Sequence, residues 1–293
     1  MNLILTVAEV VAPVFALATI GFVWVKLGFE YRIQFVTRLA MTLSVPCLIF
    51  VALMQAEIEP SALTTLSLAT VAAYASVTVV MAAIALIGRL EIRTYLAPLV
   101  FGNTGNVGLP LALFAFGDQG LGLAVVVFAI MAIYSFTAGI WIVSGGGSPL
   151  KAVKEPLVAA SILGVIFLWM DWETPRVITN TLSLIGQIAI PIMLITLGVA
   201  VARLSPGRLG QAVVLSALKI VVCIGLAWAI GRWFELPPVA FAVLVLQLGT
   251  PIAVTSYMLA EKYGADSNAV AGLVVVSTLM SVVALPVTLA FVM

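Results

Sequence analysis

Ten apolar stretches separated by short polar connections make up nearly the whole chain, at residues 3–26, 35–55, 63–88, 94–116, 121–144, 156–171, 177–202, 209–231, 238–260 and 269–292. Most are close to the roughly 20 residues that an α-helix needs to cross a hydrocarbon core, and the sixth is the shortest. The pattern predicts an all-α polytopic membrane protein of about ten transmembrane helices, with no room for a sizeable soluble domain. The first stretch has no basic n-region and outruns a typical signal h-region, so it reads as a retained helix.

The fourth stretch breaks its own pattern. Gly102-Asn103-Thr104-Gly105-Asn106-Val107-Gly108-Leu109-Pro110 puts three glycines, two asparagines and a proline where a spanning helix should be continuous. Glycine weakens a helix and proline removes a backbone donor, so backbone groups here need partners at membrane depth. Lipid supplies none. Irregular backbone persists there only when buried in protein or lining a wet cavity, and half-helix ends facing such a cavity form the binding sites of many secondary transporters.

Composition agrees with a membrane protein: 63% of residues are hydrophobic, 9% are charged, and mean hydropathy is +1.27, where soluble domains carry about 25% charge. A net charge of +1 gives no electrostatic footprint for nucleic acid. Histidine is absent, and Cys47 and Cys223 do not form a CxxC pair. No metal site, cofactor or enzymatic constellation is expected.

Charge also orients the chain. Lys26, Arg32 and Arg38 flank the first connection, Arg89 and Arg93 the third, Lys151 and Lys154 the fifth, Arg203 and Arg208 the seventh, and Lys262 the ninth. The other side has only Arg176 and Arg232. The positive-inside rule then puts the odd connections in the cytoplasm and both termini outside, which requires an even number of spans.

The two halves echo each other. Ser44-Val45-Pro46-Cys47-Leu48-Ile49 in the second stretch corresponds to Ala189-Ile190-Pro191-Ile192-Met193-Leu194 in the seventh. Gly108-Leu109-Pro110 in the fourth corresponds to Gly249-Thr250-Pro251 in the ninth, and Gly117-Asp118 to Gly264-Ala265-Asp266. Five spans per half make the second copy inverted. The expected organisation is a first five-helix repeat over 1–144, a short cytoplasmic linker over 145–155, and an inverted second repeat over 156–293.

Half-helix N-termini carry partial positive charge and suit a carboxylate or another anion. Asn103 and Asn106 add amide donors, and their glycine neighbours let a ligand approach the backbone. The same amides could instead hydrogen-bond the opposite broken helix, and Thr250 and Gln247 face the same alternatives. Lys219 lies about ten residues into its span, roughly 15 Å deep at 1.5 Å per residue. Its stem cannot reach water, so it must face the protein interior, either to counter the anion or titrate in transport, or as a fixed pair or neutral amine. Glu9, near the outer end of the first span, could bind a cation or simply reach interfacial water. Ser44 and Gln187 are expected to satisfy carbonyls freed by Pro46 and Pro191. Trp24, Trp169, Trp172, Trp228 and Trp233 fall near span ends, as an interfacial belt requires.

Gly102 to Leu111, Gly249-Thr250-Pro251, and the run from Ser277-Thr278-Leu279-Met280-Ser281 to Leu285-Pro286 resemble the auxin efflux carrier family, which includes the plant PIN carriers and bacterial relatives within the wider group of bile acid sodium symporters. The resemblance covers essentially the whole chain. It implies that spans 4 and 9 are broken and cross at Pro110 and Pro251, that spans 1, 2, 6 and 7 form a scaffold, and that spans 3–5 and 8–10 form a transport unit moving in an elevator-like way. A homodimer through the scaffold is also implied by resemblance alone. The chain lacks the long cytoplasmic loop of the PIN carriers, and its short linker resembles the bacterial branch, which implies the bacterial inner membrane and argues against auxin itself as the substrate.

The residues together predict a transporter, an exporter of a small organic anion such as a carboxylate. The candidate binding set is Asn103, Thr104, Gly105, Asn106, Gly108, Pro110, Gly249, Thr250 and Pro251, with Lys219, Gln247 and Glu9 as coupling or charge-compensating groups. No acidic residue lies in either broken segment, so proton coupling or potential-driven uniport is favoured over sodium. An anion channel or a non-transporting sensor is the alternative.

Overall fold

A computed structural model describes residues 3–55, 60–145, 156–170, 172–203 and 209–293. Among them the chain is helical, with no strand beyond one isolated antiparallel bridge between Gly102 and Ile252. In the first half, α1 (Leu3–Lys26) precedes α2 (Ile33–Leu39), which passes through a π-turn, Ala40–Ser44, into α3 (Val45–Met54). Then come α4 (Pro60–Ile87), α5 (Ile92–Val100), a π-turn over Thr104–Gly108, and α6 (Leu109–Tyr134); a third π-turn, Ser135–Gly139, leads to α7 (Ile140–Ser144). The second half holds α8 (Pro156–Met170), α9 (Arg176–Gln187), α10 (Ala189–Arg203), α11 (Leu209–Trp233), α12 (Pro238–Leu248), α13 (Val254–Tyr263) and α14 (Ser267–Val292).

Among the described residues, seven helical stretches are long and apolar enough to cross a membrane, and Ala159–Met170 and Pro238–Leu248 are apolar but shorter. The protein is a polytopic membrane protein. The expected ten spans do not appear as ten long helices, for physical reasons that can be named. Breaks divide residues 92–108 and 238–263 into pieces, and Thr104–Ser144 runs as one 41-residue stretch. That stretch is not straight, because Gly117 takes φ 63° and ψ −154°, a conformation that L side chains rarely adopt. Gly120 packs back against Ala112 and Phe116, although eight residues of straight helix would hold 112 and 120 about 12 Å apart. The chain therefore doubles back at Gly117.

Packing groups the helices. On one side α1 lies along α10, and α3 packs on α8 and α9. On the other, α4 contacts α5, α6 and α11, while α11 and α12 contact α14 and each other. A methyl group at Gly198 would collide with the Ala18 carbonyl, so α1 and α10 approach backbone to backbone, as small residues allow between membrane helices. Large apolar side chains such as Ile87, Trp169, Val177 and Val221 are exposed, which suits a surface facing lipid. Trp24, Trp172 and Trp233 are likewise exposed, but Trp228 is half-buried edge-on against Phe241.

One expectation fails near Pro46. Ser44 is buried and its hydroxyl has no hydrogen-bond partner, so it satisfies no carbonyl. The preceding π-turn absorbs the irregularity instead, with the Val45 N–H donating to the Ala40 carbonyl and Pro46 in the first turn of α3. Gln187 is exposed at the end of α9. Lys151, Lys154, Arg208 and all of the 145–155 linker except Gly145 lie outside the described residues.

Candidate functional site

Two helices are interrupted at the same place in space. The first break falls at Phe101–Asn103, between α5 and the π-turn that starts α6; the second falls at 249–253, between α12 and α13. Phe101 and Ala253 are both extended. The breaks pair as a short antiparallel ladder: the Asn103 N–H donates to the Pro251 carbonyl at 2.6 Å, the Ala253 N–H donates to the Phe101 carbonyl at 3.4 Å, and Gly102 faces Ile252 between them. Two backbone groups freed by one break thus pair with two freed by the other.

Close approach explains two of the glycines. A Cβ at Gly102 would collide with the Thr250 hydroxyl, and one at Gly108 with the Gln247 carboxamide. Pro110, expected at the crossing, is not there. It lies buried in the first turn of α6, where a missing N–H costs little, and the chains cross eight residues earlier, at Gly102. Pro251 is at the crossing, through its carbonyl.

Neighbouring helices brace the second break. Lys219 on α11, 1% exposed, donates from Nζ to the Thr250 carbonyl at 2.8 Å. One turn further along α11, the Cys223 thiol reaches toward the Leu99 carbonyl at 4.0 Å, at the end of α5. Both contacts meet the C-terminal ends of half-helices, where unpaired carbonyls carry partial negative charge, so the ammonium compensates a helix end. Among the described residues Lys219 has no carboxylate partner. On α14 the Ser277 hydroxyl oxygen accepts the Ile252 N–H at 3.0 Å. The Thr250 hydroxyl donates to the Gln247 carbonyl at 2.6 Å.

The first break is finished differently. The Asn103 Oδ1 caps the π-turn by accepting the Asn106 N–H at 3.3 Å, which leaves its Nδ2 buried with no partner. The Thr104 hydroxyl beside it is also buried and unpartnered. Gln247 donates from Nε2 to the Ala124 carbonyl at 3.4 Å, and its Oε1 accepts nothing. Buried polar atoms are seldom left so, because each costs about 1–3 kcal/mol. Three of them around one backbone crossing mark a place that can take a polar ligand.

Asn106 points elsewhere, into a narrow cleft of about 40 Å³ shared with Thr37, Met193, Thr196 and Thr255. Thr196 also shares a 2.6 Å hydrogen bond with the Tyr31 hydroxyl, whose proton affinity burial raises, and Arg203 donates to the Tyr31 carbonyl at 2.6 Å. A cavity of about 810 Å³ opens between α1, α3, α6, α9 and α10. Its polar lining is Gln55, Asp118, Gln119, Ser183 and Gln187; among the described residues Asp118 is the one ionisable group on it, and no cation lines it.

The structure therefore gathers Asn103, Thr104, Gly108, Gln247, Thr250, Pro251 and Lys219 around the crossing, with Gly249 as the C-cap of α12. Gly105 lies against the Phe128 ring, and Glu9 is exposed on α1 and lines neither space. Sequence reasoning missed the contacts of Cys223 and Ser277 and the cavity residues Gln55, Gln119 and Ser183. Cys223 stands four residues after Lys219 on the same helix face, a signal that was available.

A family model described as "Membrane transport protein" matches residues 6–152 and 139–289. The chain belongs to this family. That bears out the resemblance to the auxin efflux carriers, and a transporter in this sense is not typically an enzyme. Among curated relatives, an "Uncharacterized transporter" of Methanothermobacter thermautotrophicus is 29% identical over 63% of this chain and 63% of its own length. A Rhizobium meliloti protein named "Putative malonate transporter" is 24% identical over 62% of this chain and 61% of its own. An uncharacterized transporter of Methanocaldococcus jannaschii is 25% identical over 62% of each. The chain thus aligns with a little over three fifths of each relative's length.

Proposed function

We propose that this membrane transport protein carries a small organic anion, a carboxylate, at the crossing of its two interrupted helices. The observation that carries this reading is the unpartnered Asn103 amide and Thr104 hydroxyl, buried where the α6 half begins beside the self-paired backbone. Half-helix N-termini and amide donors suit a carboxylate without a buried counter-cation. The relative named for malonate, itself a dicarboxylate, makes that class the natural starting panel.

In this reading the pieces at 92–116 and 238–263 each form one broken span, giving ten spans in two inverted five-helix repeats over 1–144 and 156–293. Gly117 and Gly264, at echoed positions, both take positive φ, 63° and 69°, which supports the repeat. The group of α1–α3 and α8–α10 is the scaffold and possible dimer face, and α4–α7 with α11–α14 is the unit that moves in an elevator-type cycle. With odd connections inside and both termini outside a bacterial inner membrane, the 810 Å³ cavity faces outward and the Asn106 cleft is the closed inner side. Without coupling, the membrane potential drives an anion outward by about 2.3 kcal/mol per charge per 100 mV, so the protein is an exporter. Glu9 and Lys219 are the remaining candidates for proton coupling, and neither crossing segment has a carboxylate for sodium.

Proteoliposomes offered labelled malonate and other carboxylates, under imposed potential, pH and sodium gradients, test this. Saturable flux that Asn106→Ala reduces at least tenfold, in protein that still folds, supports the inner cleft and crossing as one path. Flux that does not saturate and shows no counterflow would make the protein an anion channel. Ligand binding without flux would make it a sensor.

A further inference from the structure

Between α11 and α14 runs an apolar groove of about 780 Å³, separate from the crossing and from both spaces described above. Gly225 opens onto it, with no atom within 4 Å of the position a Cβ would take. Thr288 supplies the groove's one hydroxyl, and it is already donated to the Ala284 carbonyl of its own helix at 2.7 Å. Apart from that hydroxyl and the indole N–H of Trp228 at one end, the groove's lining is apolar. The rim residues Val221 and Val283 are 71% and 68% exposed, so the groove opens sideways onto the apolar surface of the helices.

One end differs in charge. Arg232, a turn beyond the groove-lining Trp228, is exposed, and its guanidinium carbon lies 5.9 Å from the Trp228 ring and 5.2 Å from the Phe241 ring. The two rings hold the cation in place. Among the described residues no carboxylate pairs with it. A long, mainly apolar slot with an unneutralised arginine a turn beyond one end matches an amphiphile with an apolar tail and an anionic head. We infer that this groove binds one acyl chain of an anionic phospholipid, whose headgroup phosphate sits on Arg232.

Native mass spectrometry of the whole protein in mild detergent, after incubation with phosphatidylglycerol or phosphatidylcholine of matched chains, tests the assignment. The wild type should retain one phosphatidylglycerol in preference to phosphatidylcholine. Gly225→Leu, which places a side chain in open space, should cut that adduct at least tenfold. Val283→Trp, made on the exposed rim, is the second blocking variant should the first fail to fold. Arg232→Gln should bring the ratio of the two lipids close to one. Retention of phosphatidylglycerol at the wild-type level in folded blocking variants overturns the inference, as does an unchanged lipid ratio in Arg232→Gln. A lipid-free mass of two chains that Gly225→Leu returns to one also overturns it, since the groove would then be an interface between copies.

Discussion

The two helix breaks meet at one point, Gly102 opposite Ile252, yet they are finished by different means. Around the second, neighbouring groups brace the backbone: Lys219 holds the Thr250 carbonyl, Ser277 holds the Ile252 N–H, and the Thr250 hydroxyl turns back on Gln247, whose Oε1 alone stays unpartnered among the side chains named there. Around the first, the backbone is paired but the side chains are not, and the Asn103 amide and Thr104 hydroxyl remain buried and unused. The difference separates two tasks that the sequence echo presents as one. Pro251 and its neighbours hold the crossing together, and Asn103 and its neighbours keep polar capacity in reserve. A ligand gains most where desolvated donors already stand without partners, because binding then relieves a cost that the empty protein carries.

The largest effect expected from this contrast is at Asn103. Asn103→Asp keeps the oxygen that caps the π-turn, removes the unpartnered donor, and adds negative charge beside the proposed carboxylate. Transport of the preferred anion in proteoliposomes should fall at least 100-fold, about 2.8 kcal/mol at 1.4 kcal/mol per decade. Thr250→Val removes a hydroxyl that serves only its own turn, so the same assay should show KM within about twofold of wild type. Equal losses in both variants would erase the distinction between the breaks.

A smaller effect, on stability instead of flux, is expected at the braced side. Ser277→Ala changes almost no volume but leaves the Ile252 N–H buried without an acceptor, a cost of about 1–3 kcal/mol. Thermal unfolding in detergent should drop accordingly, while the KM of the surviving protein stays put. A KM shift without a stability loss would move Ser277 from bracing to binding.

Much of this was legible in the chain. Hydropathy gave the helices, and the glycine–asparagine run gave the first break, because local backbone chemistry there overrides helix propensity. Pro110 misled as the crossing point because proline marks two things in sequence, a break and a helix start, and only the fold tells them apart. Lys219 was correctly expected to be interior, since depth along a helix follows from residue count. Its partner was not legible: the carbonyl it meets is 31 positions away and is free only because α12 ends there. Ser277 was visible as part of a motif but had no assignable role, since its acceptor function depends on how α14 packs against the second break. The cavity's polar side chains come from helices far apart in the chain, and nothing local to Gln55 or Ser183 sets them apart.

The smallest predicted effect concerns the approach to the first break. Asp118 is exposed at the Gly117 turn and, among the described residues, is the lone ionisable group on a cavity with no cation in its wall. A fixed negative charge at the mouth lowers the local concentration of an anion, and low-dielectric walls extend its reach. Asp118→Asn should therefore lower KM for the carboxylate a few-fold, by up to about 1 kcal/mol, leaving kcat unchanged because the residue touches nothing at the crossing. The gain should be clearest near 0.01 M ionic strength and fade toward 1 M, where the screening length falls from about 30 Å to about 3 Å. A gain that survives high salt would mean that Asp118 contacts the substrate directly, and part of the binding site would then lie in the cavity and away from Asn103.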